Sequence, residues 1–158
     1  MYFWKIEKLK EDIRTDNVRE NDRFIYAFIY ISLSVIGMEA MMYMPIESPN
    51  IWDTVYSISN LIIPIAGTFF AYKANGGANG SDFLGRFFSI NFVVSIRFIA
   101  LLIPMLIALL AYYMYTFPGN QEIVTTPIDV IPFQIWLIFL YVHICKHISD
   151  VKNSLQAN

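Results

Sequence analysis

The chain has little from which to build a covalent or metal-held framework. Cys145 is its one cysteine, so no intramolecular disulfide can form and cages built on thiolates are excluded. A lone cysteine near the end of an apolar helix serves as a small hydrophobe. Charge is equally sparse, at 15% of residues, and neither sign dominates: the net charge is -2. Near the N-terminus, Glu7, Glu11, Asp12, Asp16, Glu20 and Asp22 interleave with the cations, which leaves no basic field for nucleic acid and excludes it as a partner. No Gly-x-Ser-x-Gly is present, and no Gly-Lys-Ser/Thr follows the glycine-rich stretch. No Ala-x-Ala site follows the first apolar run, and the charged stretch before Phe24 is too long for a signal-peptide n-region, so that run is expected to be retained.

The most informative absence is local. Lys and Arg are missing from the connections Pro45 to Thr54 and Thr116 to Val130, which carry only Glu47, Asp53, Glu122 and Asp129. What flanks them is apolar: 56% of the chain is hydrophobic and 16% aromatic, with a mean hydropathy of +0.48. Four apolar segments stand out, at Phe24 to Met44, Val55 to Tyr72, Phe87 to Tyr115 and Ile131 to Ile148. Each is near the roughly 20 residues that cross a hydrocarbon core of about 30 Å. Lys5, Lys8, Lys10, Arg14, Arg19 and Arg23 precede the first, Lys73 and Arg86 bracket the second connection, and Lys146 and Lys152 lie at or beyond the end of the fourth. The positive-inside rule then puts both termini and the middle loop in the cytoplasm and the two acidic connections outside.

The expected fold is an all-α membrane protein: a four-transmembrane-helix bundle with an N-terminal amphipathic interfacial helix. Residues 1–158 form a single polytopic domain, in which 1–23 is a cytoplasmic amphipathic segment and 73–86 a cytoplasmic Gly-rich loop. A chain of 158 residues with four spans has no room for a separate soluble domain of ordinary size. Tyr2, Ile6, Leu9 and Ile13 share one helical face, with Lys5, Lys8 and Lys10 bordering it, as suits a helix lying among headgroups or a short cytoplasmic one packed on a partner or on the protein's own loops. Thr15, Asp16 and Asn17 offer N-cap chemistry for a helix running into the first span.

Small and polar residues mark the faces helices use against one another in lipid. Ser57, Asn60, Pro64, Gly67 and Ala71 fall on one side of the second span, and Arg97, Pro104, Ala108 and Ala111 on one side of the third. Glu39, Asn60 and Arg97 are the intramembrane polar candidates. Glu39 lies toward the outer end of the first span and Arg97 toward the inner end of the third, so a direct pair is not expected and snorkelling is the simplest reading of both. The third apolar segment is also long for an upright crossing, so its first half is expected to tilt along the interface, with Arg97 as an anchor.

The most distinctive stretch is the middle loop, where Asn75, Gly76, Gly77, Gly80, Asp82 and Arg86 are the candidate site residues. Its glycines allow left-handed turns, Ser81 or Asp82 can cap the following helix, and Asp82 and Arg86 are spaced for an ion pair. A structural turn is one reading; the other is an anion-binding nest of backbone N–H groups. The tract Asn75-Gly76-Gly77-x-x-Gly80-x-Asp82-Phe83-x-x-Arg86-Phe87, continuing to Val93-Val94-x-x-Arg97, resembles a recurring signature of small, uncharacterised, multi-span bacterial inner-membrane proteins. That resemblance implies a bacterial inner membrane and carries no activity or cofactor with it.

His143 and His147, the only histidines, lie one turn apart near the cytoplasmic end of the fourth span and are weak metal candidates. His143 is expected to pack inside the bundle and His147 to sit at the interface beside Lys146. Further ligands are not in view, so neither a metal, a cofactor nor catalysis is expected. The expected function is a non-enzymatic one exercised through protein contact, such as toxin immunity or a membrane sensor in a defence pair, with the bilayer and a protein partner or a second copy as neighbours. An oligomeric ion channel or small transporter is the alternative, supported by Glu39, Asn60, Arg97 and the breaks at Pro64 and Pro104.

Overall fold

The computed structural model of the protein describes residues 2–42, 49–116 and 124–156. The elements are α1 (Ile6–Arg14), α2 (Glu20–Met42), α3 (Ile51–Ala74), a 3-10 turn over Gly77–Asn79, α4 (Phe83–Thr116) and α5 (Pro127–Gln156), with no strand among the described residues. Helices α3, α4 and α5 are long and apolar enough to cross a membrane. Only 11% of the most apolar stretch of α3 and α4, and 22% of that of α5, is buried within the protein, so lipid rather than water must cover the rest. The first apolar run also folds as one helix, α2, with Phe24, Phe28, Ile31, Leu33 and Ile36 exposed.

Each helix outruns its apolar segment, because polar residues start or extend it. Asn50 caps α3 through Trp52 and Asp53 N–H groups, and the Asp53 carboxylate accepts the Asn50 N–H at 2.7 Å, closing a capping box. The second helix therefore begins at Ile51 rather than Val55. At the other connection, Thr126 N–H donates to Asp129 Oδ2 at 2.8 Å, starting α5 at Pro127. The N-cap expected from Thr15, Asp16 and Asn17 is not made. Thr15 instead closes α1, its hydroxyl donating to the Glu11 carbonyl at 3.0 Å, and α2 starts at Glu20.

Helices α3 and α5 run parallel at a constant offset: Asn50 donates to the Thr125 carbonyl, Gln134 to Asn60, and Gly67 sits against Tyr141. Helix α4 is antiparallel to α5, with Phe98 beside Trp136 at the middle of α4 and Tyr113 bonded to Asp129 near the end of α4 and the start of α5. Helix α2 packs on the far side of α4, placing Tyr26 against Phe92 and Tyr30 against Phe88. The order is α2, α4, α5, α3, and among the described residues α2 and α3 share no comparable interface. Tyr141 of α5 also interacts with Thr68 of α3 and Tyr30 of α2, so these three helices approach one another around its side chain.

The core lies at one end of the helices. In α4 the buried residues run from Arg86 to Phe98, and beyond them the helix is mostly exposed. The first half of α4 packs against the protein and is a continuous part of a helix whose 34 residues rise about 51 Å. Pro104, Ala108 and Ala111, expected on an inner face, are exposed. What covers the first half is α1, laid across α4 and α5 with Ile6, Leu9 and Ile13 buried. The amphipathic helix forms where its spacing predicts, but its apolar stripe is covered by protein, leaving the preceding Phe3 and Trp4 as its exposed apolar groups. Lys10, expected to border the stripe, is buried with it and joins Glu7 and Asp150 at 3.0 Å each. Tyr2 also ties the segment down: its hydroxyl donates to Asp12 at 2.7 Å, and that carboxylate raises the phenol's pKa.

Candidate functional site

The middle loop brings the expected candidates together. Helix α3 ends at Ala74, and Gly76 follows with φ of 106°, a left-handed conformation that a side chain would strain. This turn folds Asn75 inward until it is fully buried. Phe83 packs edge-on against Tyr72 and tilted against Phe87, which sets the first turn of α4 against the end of α3 and aims Arg86 at the loop. Arg86 is only 6% exposed. Its Nη1 donates to Asn75 Oδ1 and its Nη2 to Ser81 Oγ, both at 2.9 Å, while Asn75 Nδ2 donates to the Ser81 carbonyl at 3.1 Å. Gly80 packs directly on the Asn75 carbonyl. Beside this network a recess of about 290 Å3 opens toward α5, walled by Asn75, Gly76, Asn79, Ser81, Arg86 and Lys152, among others.

One expectation for this loop is corrected. Asp82 makes no ion pair with Arg86: its carboxylate pairs with Arg23 of α2 at 2.8 Å, because the left-handed φ of 48° at Asp82 turns the chain as α4 begins. The loop backbone makes a structural turn. The N–H groups of Gly76, Asn79 and Gly80 donate to the Lys73, Gly76 and Gly77 carbonyls and close the turns. The recess owes its positive character to side chains.

Asn60 and Arg97 do not converge. Asn60 accepts from Gln134 Nε2 at 3.2 Å, a contact between α3 and α5. Arg97 binds the N-terminal segment: its Nε donates to the Trp4 carbonyl at 2.9 Å, Nη2 donates to the same oxygen, and the guanidinium lies 5.7 Å from the Trp4 ring centroid. It thus clamps the residues ahead of α1. Glu39 falls within α2, and its side chain lies outside the described residues. The histidines exchange their expected settings. His143 is exposed beside the Phe98 ring, whereas His147 is the more enclosed, 3.8 Å from Asp150 and near Lys10. Among the described residues no group of three potential metal ligands forms.

Replacing Arg97 by glutamine is expected to free residues 2–14 before anything else moves. The loss of two charge-assisted bonds to one carbonyl is worth about 1–3 kcal/mol, felt locally. Hydrogen exchange in detergent should show faster exchange across α1 with α3 and α5 unchanged; unchanged exchange in α1 would remove Arg97 from that role.

Sequence reasoning missed Lys152, Ser81, Gln134, Asp150 and Trp4 as parts of these clusters. Gln134 carried a signal, being a lone amide in an apolar run that requires a hydrogen-bond partner in lipid. Lys152 carried none, since only the parallel offset of α3 and α5 brings it over Gly76. No protein-family model, curated protein or solved structure matches the chain.

Proposed function

We propose that the chain is a multi-pass protein of the bacterial inner membrane that crosses four times with both termini and the 73–86 loop in the cytoplasm. It works without catalysis, by contact with a protein partner at that cytoplasmic end, as a toxin-immunity protein or the membrane sensor of a defence pair does. One observation carries this reading. Of the intramembrane candidates with described side chains, Asn60 and Arg97 are both engaged within the protein, and a polar recess opens at one end. At that end charged contacts also concentrate, Arg23 with Asp82, Arg86 with Asn75 and Lys10 with Asp150, and Lys152 borders the recess. The exposed aromatics Phe3 and Trp4 are at the same end, through the Arg97 clamp.

The reading has a direct test. In a Cys145→Ser background, Ala78→Cys should react with an impermeant maleimide only from the cytoplasmic side and Val124→Cys only from the outside. Purified protein in liposomes should pass no ions with or without a membrane potential. Flux that vanishes in Asn60→Leu would replace contact with conduction as the function.

A further inference from the structure

We infer that the recess between the Gly-rich loop and the end of α5 binds a phosphate-bearing anion, with Arg86 and Lys152 as its cationic ligands. The inference rests on the reading that this end carries the function, but not on which protein partner it meets. Its first support is an imbalance of charge. The described residues that line the recess include two cations and no carboxylate. Arg86 is 6% exposed, and both Nη groups donate to neutral oxygens, of Asn75 and Ser81. Its Nε is buried without a partner. The nearest acid in sequence, Asp82, pairs with Arg23 at 2.8 Å; its charge still favours the Arg86 cation, but it makes no ion pair with the guanidinium. A guanidinium withdrawn from water without a contacting anion is disfavoured, and an oxyanion arriving in the recess supplies the missing partner.

The second support is shape. Lys152 arches over Gly76, its Cε 3.7 Å from where a Cβ would stand on that glycine, so a second cation borders the same space from another helix. A volume of about 290 Å3 holds a phosphoryl group with several waters, each occupying about 30 Å3. Asn79 adds a side-chain amide to the wall. The network around Arg86 also fixes its fork before any ligand arrives, so little side-chain entropy is lost on binding. The phosphate can belong to a lipid headgroup or to a soluble molecule, since both present the same oxyanion.

The test uses the full chain purified in a maltoside detergent, which contains no phosphate. Inorganic phosphate is titrated and followed by calorimetry, and phosphatidylglycerol is titrated and followed by native mass spectrometry. Lys152→Gln is the principal variant, because Lys152 is only partly buried and its loss leaves the Arg86 network intact. Lys73→Gln is the control, its ammonium lying 4.9 Å from the Phe69 ring centroid rather than lining the recess. Lys152→Gln is expected to weaken binding about tenfold while melting as the wild type does, and Lys73→Gln to bind as the wild type. Binding of inorganic phosphate with this pattern identifies a soluble phosphate site; binding of phosphatidylglycerol alone identifies a headgroup site. Binding of neither, or equal binding by wild type and Lys152→Gln, overturns the inference and leaves the protein-contact reading to its own flux and topology tests.

Discussion

Tyr26→Ala is expected to detach α2 from the rest of the protein. Tyr26 is fully buried where three segments meet: its ring lies 5.1 Å from that of Phe92 on α4, and its hydroxyl donates to the Tyr2 carbonyl at 3.2 Å and accepts from the Tyr2 N–H. Truncating a buried aromatic costs about 3–5 kcal/mol, through lost packing and the cavity left behind. Here the loss falls on a helix that exposes much of its apolar surface, so few other contacts compensate. Tyr26→Phe separates the two contributions. It keeps the ring and removes only the hydroxyl's bonds to the Tyr2 backbone, so its effect should be about 1 kcal/mol. Thermal unfolding in detergent, with proteolysis at residues 19–23 as a second reading, checks both. A Tyr26→Ala protein that melts with the wild type and resists cleavage would show that α2 is held by other contacts.

Gly67→Leu is expected to prise α3 from α5. A Cβ at Gly67 would stand 2.2 Å from Cδ1 and 2.3 Å from Cγ of Tyr141, in the middle of the most extensive helix pair of the protein. The Tyr141 ring is itself buried, so it cannot swing aside without vacating its own packing. Forcing a larger side chain into a packed contact costs about 1–3 kcal/mol and more where a ring blocks the path. Because α3 and α5 keep a constant offset, separation at Gly67 also strains Asn60 with Gln134 on one side and Gly76 with Lys152 on the other. The expected signature is a lower melting temperature together with weaker anion binding at a distant recess. Gly67→Leu with Tyr141→Ala should recover part of the loss, since the smaller residue opens the space the leucine needs. Independent, additive effects of the two substitutions would mean that the helices do not meet there.

Much of this architecture was legible in residue order. The apolar runs, their lengths and the missing cations between them follow from what a hydrocarbon layer tolerates, and α2, α3, α4 and α5 form where those runs lie. The spacing of Ile6, Leu9 and Ile13 announced α1, and Gly67 and Ala71 announced the buried face of α3. The loop residues Asn75, Gly76, Gly80 and Arg86 do meet in one place, as their density in sequence suggested. Failures came where a charged side chain had a choice of partner. Arg86 and Asp82 are spaced for one another, yet each found a different partner, because the turn at Asp82 sends its carboxylate toward α2. The acceptor of Arg97 is a backbone carbonyl at Trp4, a group with no sequence signature.

The sequence by itself determined the helical content, the placement of the long apolar helices and the gathering of cations into alternate connections, because each depends on local composition against the thickness and polarity of a bilayer. Only the tertiary structure decided which helices pack on which, that the stripe of α1 is covered by α4 and α5, and that Lys152 shares a recess with Arg86. The reason is that apolar side chains are nearly as well solvated by lipid as by one another. Helix order then rests on a few specific contacts, a glycine against a ring or an arginine against an amide, and these are chosen by three-dimensional fit rather than by hydrophobic pattern.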